Sequence, residues 1–87
     1  MIAIANEKFW KLVRKLKNPK VSENILDTIE NVEAAQTWQD IKELKRLKGV
    51  IAYRIRIGDY RIGVLIENDT VEFISVAHRK EFYNTFP

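Results

Sequence analysis

Two dipeptides, Gly58-Asp59 and Asn68-Asp69, divide the C-terminal half of the chain into segments whose apolar residues recur at every second position. Each dipeptide is two residues of turn chemistry. Glycine in first place suits a type II′ hairpin turn, and Asn-Asp tolerates the positive φ of a type I′ turn. The pattern therefore predicts three antiparallel strands over residues 52–57, 60–67 and 70–77, joined as a meander.

Upstream of Val50 the period is 3.6 instead of 2. Asn6 is a candidate N-cap, and Phe9, Leu12, Val13 and Leu16 fall at i, i+3, i+4 and i+7 on one helical face. Asn18-Pro19 ends this helix, because the residue before proline is driven out of the helical region. Ser22 is read as the cap of a second helix, with a hydrophobic staple between Val21 and Leu26. Ile25, Ile29 and Val32 form its buried stripe. A short connection makes the pair an antiparallel hairpin. Met1 to Ala5 reads as a brief strand. Residues 36–49, with Thr37, Trp38, Ile41, Leu44 and Leu47, read as a short helix or turn before a basic connector stopped by Gly49. Residues 78–83 close the chain in a helical turn or two. The expectation is a single α+β domain over residues 1–87: a helical hairpin on a small antiparallel sheet, with a short C-terminal helical segment.

Composition narrows the chemistry. The 87 residues contain no cysteine and one histidine, which leaves no disulfide framework, thiolate nucleophile or zinc–thiolate site and nearly excludes a His-rich metal centre. No cofactor or metal is expected. The opening residues lack a basic stretch followed by a long apolar run, and no segment is long enough to span a membrane, so a cytoplasmic protein without a membrane partner is expected.

Charge is unevenly distributed. Residues 1–44 carry seven basic and seven acidic side chains, whereas residues 45–61 carry Lys45, Arg46, Lys48, Arg54, Arg56 and Arg61 against Asp59 alone, a net of +5. Such an excess suits a polyanionic partner. If Gly58-Asp59 is a two-residue loop, Arg56 faces Arg61 across the hairpin and Arg54 faces Gly63. All three arginines then project from one side of the sheet. Gly63 would leave a gap beside Arg54 for a ligand backbone. Like charges placed directly across strands cost stability, and an anion bound between the guanidinium groups offsets that cost through bidentate hydrogen bonds. A polar outer face with arginines fanned into water is the alternative.

Extending the register through Asn68-Asp69 sets Leu65 opposite Glu72 and Arg61 opposite Val76. His78 then falls on the arginine side. Arg79 and Tyr83, four apart on a helical turn, share a side and can reach the rim of the cluster. That set suits metal-free cleavage of RNA by attack of the 2′-hydroxyl on its own phosphate, which requires a base, an acid and positive charge around the phosphorus. The arginines supply the charge. Tyr83 or His78 can carry the proton. Trp10 and Trp38 sit in helical contexts that favour core or interface anchoring over base stacking.

The blocks Leu47-Lys48-Gly49, Tyr53-Arg54-Ile55-Arg56-Ile57-Gly58-Asp59-Tyr60-Arg61 and Val76-Ala77-His78-Arg79-Lys80-Glu81-Phe82-Tyr83, in this order, resemble the RelE/ParE toxin superfamily and its RelE branch. The helical hairpin matches that family's N-terminal half. The resemblance implies a RelE-like microbial RNase fold and a type II toxin that cuts mRNA in the ribosomal A site. Arg54, Arg56, Arg61, Arg79 and Tyr83 fall on its catalytic positions, and Lys45, Arg46 and Lys48 become ribosomal-RNA contacts. The implied partners are the ribosome with its mRNA and a cognate antitoxin with an acidic, amphipathic segment. The superfamily also holds ParE-like gyrase inhibitors and leaves room for an inactive homologue that binds RNA or antitoxin. Retention of the full basic set favours the nuclease branch.

Overall fold

The computed structural model describes residues 1–47 and 51–87, and in it two asparagines start the two long helices. The Asn6 side chain accepts a hydrogen bond from Phe9 N at 3.1 Å and opens α1 (Glu7–Leu16). Lys17, at φ 50°, ends that helix in the left-handed region, its N–H donating to Arg14 O. The Asn18 side chain accepts from Val21 N at 3.2 Å and opens α2 (Pro19–Ala34). The second helix thus starts ahead of Ser22, and the expected staple is not formed, since Val21 is buried and Leu26 is 54% exposed. Pro19 explains the difference. The residue that stops α1 also supplies the fixed φ that suits the first position of α2.

Residues 36–47 hold a feature that the apolar spacing hid. A 3₁₀ turn (Trp38–Asp40) is closed by the Asp40 carboxylate, which accepts from Gln36 N and Thr37 N at 3.2 Å each. The chain then enters a strand instead of a helix. With β1 (Ile2–Ala5), this strand β2 (Leu44–Arg46) and the strands β3 (Ala52–Ile57), β4 (Tyr60–Glu67) and β5 (Thr70–His78) build a five-stranded sheet in the order β1-β5-β4-β3-β2. The meander is antiparallel, as expected, and β2 adds to it antiparallel. The N-terminal strand runs parallel to β5, so the sheet is mixed. The α1–α2 hairpin carries the chain from β1 at one edge of the sheet to β2 at the other.

Both helices cover one face, α1 against β5 and α2 against β1 and β3. Phe9, Val13, Ile25 and Val32 pack there on Ile55, Ile62, Val64, Val71 and Phe73. The other face carries a smaller cluster in which Phe82 and Phe86, from and just after α3 (Phe82–Thr85), rest on Ala52, with Leu65, Ile74 and Ala77 alongside.

Both hairpin turns have a positive φ at the first central residue only, Gly58 at 62° and Asn68 at 54°. That is the type II′ requirement; the second turn is therefore not type I′. The β3–β4 register is the expected one. The β4–β5 register slips at a bulge between Gly63 and Val64, so Arg61 faces Ala77 and Tyr60 faces His78. Among the described residues, no helix is long and apolar enough to cross a membrane.

Candidate nucleic-acid interface

Three arginines project from the central hairpin on the face turned away from α1 and α2. Arg56 lies directly opposite Arg61, and Arg54 opposite Gly63. Their neighbours Tyr53, Ile55 and Ile62 point the other way into the core. Strand β2 adds a fourth cation, because Lys45 pairs with Arg54 and shares its side. Arg46 pairs with Tyr53 and takes the opposite side, its guanidinium carbon 6.0 Å from the Tyr53 ring centroid. The two basic residues grouped as RNA contacts thus part at β2: Lys45 joins the arginine ledge, and Arg46 packs where Trp38 also meets Tyr53. Lys48 lies outside the described residues.

The ledge is not free of negative charge. Glu43, at φ 62°, precedes β2 on the same strand phase as Lys45. Its carboxylate accepts from Arg56 Nε at 3.0 Å and lies 2.8 Å from Nη2. Its carbonyl accepts from Arg54 Nη1 at 3.1 Å and from the Arg56 backbone at 3.2 Å. This acidic residue was missed because its place on the ledge depends on β2, a strand too short to show a period. At the other end, Arg61 Nη1 donates to Gly58 O at 2.9 Å and Tyr60 O at 3.0 Å. Arg79 meets the same turn: its N–H donates to Asp59 O at 2.8 Å and its Nε lies 3.9 Å from the Asp59 carboxylate. Arg61 and Arg79 are thereby gathered around one hairpin turn, with Arg54 and Arg56 around Glu43.

The expectation that His78 joins this face is not met. The bulge shifts β5 by one residue, and that reverses the side. His78 stands beside Tyr60, ring centroids 5.4 Å apart, and its Nδ1 accepts from Lys80 N at 3.2 Å. Arg79 lies in the turn before α3 instead of on a common helix with Tyr83. Tyr83 is 57% exposed, its ring edge-on to Phe82 at 4.9 Å.

Gly63 leaves no gap beside Arg54. A Cβ built on it would stand 2.7 Å from ring carbons of Phe86. The space is filled from within by the C-terminal segment, which lies along the edge of the arginine ledge. Among the described residues, no three His, Asp or Glu side chains converge as metal ligands. The face has the chemistry of an anion site: four cations on one surface, a carboxylate already bound to one of them, and a phenol on the adjoining segment.

No model of a protein family matches the chain. Over 61 residues, 68% of the chain and 69% of the relative, it is 43% identical to the toxin RelE3 of Methanocaldococcus jannaschii. Its fold superposes with a TM-score of 0.78 on a solved chain from the RelB–RelE antitoxin–toxin complex of Methanococcus jannaschii. That match covers 97% of this chain and 99% of the other, at 31% identity.

Proposed function

The chain belongs to the RelE toxin family of toxin–antitoxin systems, and on that premise we propose that its 87 residues form one toxin domain that cuts mRNA in the ribosomal A site without a metal ion. The observation that carries the reading is the pairing of Arg56 with Arg61 on a face shared with Arg54 and Lys45 and bordered by Arg79. A stable fold gains nothing from such a concentration of like charge. A phosphate among these groups does.

In the proposed reaction the 2′-oxygen bonds to phosphorus while the bond to the 5′-oxygen of the next nucleotide breaks. The products are a 2′,3′-cyclic phosphate and a 5′-hydroxyl. Arg54, Arg56, Arg61 and Arg79 stabilise the charge that builds on the non-bridging oxygens. A proton must leave the 2′-hydroxyl and another must reach the departing oxygen. Tyr83 is assigned the proton role, because its phenol is exposed on the segment beside the ledge, whereas His78 stands on the Tyr60 side. Lys45 contributes phosphate affinity without sequence information.

The proposed antitoxin partner follows from the same charge. An acidic amphipathic segment that folds on binding either covers the arginine face or displaces the Phe82/Phe86 segment. The solved relative is itself an antitoxin–toxin complex.

Induced expression tests the reading. Wild-type protein is expected to arrest growth, and Arg61→Ala, Arg79→Ala and Tyr83→Phe are expected to be harmless while still folded. Full toxicity in all three variants contradicts the assignment. Growth arrest with intact mRNA and impaired DNA supercoiling would place the chain with the gyrase inhibitors instead.

A further inference from the structure

Gly63 has no conformational reason to be glycine. It sits inside a strand, and its φ is outside the left-handed region that Gly58 occupies. What it provides is space. The missing side chain is replaced by the ring of Phe86, which is 5% exposed and lies where a Cβ would be. Gly63 faces Arg54 across the hairpin. The Phe86 ring is therefore seated beside the first arginine of the ledge.

From that seat a line of aromatic contacts runs to the phenol. Phe86 meets Phe82 at 5.4 Å between centroids, and Phe82 meets Tyr83 edge-on at 4.9 Å. The start of the segment is tied down by Arg79 N donating to Asp59 O and Glu81 N to His78 O; beyond them the backbone has no bond to the sheet among the described residues. Helix α3 is four residues long, far below the length at which a helix holds itself. Its local bonds are Asn84 N donating to Glu81 O, and Phe86 N and Thr85 Oγ1 donating to Phe82 O. Those bonds keep the turn together, but they do not place it on the sheet. Apolar docking does, and Phe82 and Phe86 supply it.

The geometry points to Phe86 as a positioning residue: its ring, seated on Gly63, sets where Tyr83 stands relative to Arg54, Arg56 and Arg61. This rests on the reading of Tyr83 as the proton carrier. Gly63 and Phe86 act as one unit, because a methyl on the first and loss of the ring from the second disturb the same contact.

The test labels all three tyrosines with 3-fluorotyrosine and reads their ¹⁹F resonances, that of Tyr83 assigned through Tyr83→Phe. In Gly63→Ala and Phe86→Ala the Tyr83 resonance is expected to move or broaden, while those of Tyr53 and Tyr60, on the opposite face, stay in place and report an intact core. On translating ribosomes the same variants are expected to lose about 100-fold in kcat, the scale of a misplaced catalytic group, with KM nearly unchanged. Phe86→Leu, which keeps an apolar body on Gly63, restores most of the rate, and Gly63→Ala/Phe86→Ala is no worse than Phe86→Ala alone. An unmoved Tyr83 resonance in both single variants overturns the proposal, as does a moved resonance with an unchanged kcat. A wild-type protein that cuts no RNA refutes the nuclease reading and the catalytic consequence with it, while the resonance still decides whether Phe86 places Tyr83.

Discussion

Glu43 grips two arginines of the ledge at once, its carboxylate 2.8 Å from Arg56 Nη2 and its carbonyl accepting from Arg54 Nη1 at 3.1 Å. The carboxylate occupies a guanidinium fork that a phosphate would use, so RNA must compete with it. Both side chains are about half exposed, which limits the pair to roughly 0.2–1 kcal/mol. Glu43→Gln is accordingly expected to tighten binding of a short single-stranded RNA by about 1.5–5-fold and to leave the melting temperature nearly unchanged. Fluorescence anisotropy across a salt series measures both the affinity and its slope. Unchanged or weaker binding would mean that Arg56 does not meet the RNA.

Tyr83→Phe keeps the ring against Phe82 and removes only the hydroxyl. It is expected to slow cleavage by about 10²–10⁴-fold, the range of a lost general acid or base, without altering ribosome binding. Arg61→Ala removes charge stabilisation and is expected to cost about 10²–10³-fold. His78→Ala, on the Tyr60 side of the sheet end, is expected to retain most of the rate. Single-turnover cleavage on stalled ribosomes separates the three, and a His78→Ala defect as deep as that of Tyr83→Phe would reverse the proton assignment.

Phe9 is fully buried and meets Trp10 and Phe73 edge-on at 5.4 and 5.6 Å. Removing it leaves a cavity where α1 joins the sheet. Phe9→Ala is expected to cost about 3–5 kcal/mol, a large part of the stability of so small a domain. Urea unfolding followed by tryptophan fluorescence reads this directly, since Trp10 is beside the lost ring.

Lys17 holds a left-handed φ of 50° at the end of α1. A side chain there costs about 1 kcal/mol that glycine avoids, partly offset by glycine's greater freedom in the unfolded chain. Lys17→Gly is expected to raise the melting temperature by a few degrees, as read by calorimetry, with no effect on cleavage. A lower melting temperature would show that the freedom lost by glycine outweighs the strain relieved.

The parts of the fold written in the sequence are those with a local cause. Asn6 declares its helix through one oxygen, and Gly58-Asp59 fixes the hairpin that pairs Arg56 with Arg61. The parts hidden from it depend on distant partners. Strand β2 is three residues of an edge that only β3 defines. The bulge at Gly63 and Val64, which turns His78 away from the arginines, leaves no mark in the alternation of apolar residues. Pro19 was legible as a stop; that it also starts α2 rests on the Asn18 side chain capping Val21 N one turn ahead of Ser22. Gly63 presented the subtlest case: the absent side chain pointed to a close approach, but the approaching group is the chain's own Phe86.

We propose that the arginine face cuts mRNA on the ribosome. Primer extension on a defined mRNA in a cell-free translation system, with purified protein added, tests it most directly. Cuts are expected at in-frame codon positions only when ribosomes translate, with none on free mRNA and none with Arg61→Ala. Intact mRNA in the presence of well-folded wild-type protein would contradict it and leave the ledge as a binding surface.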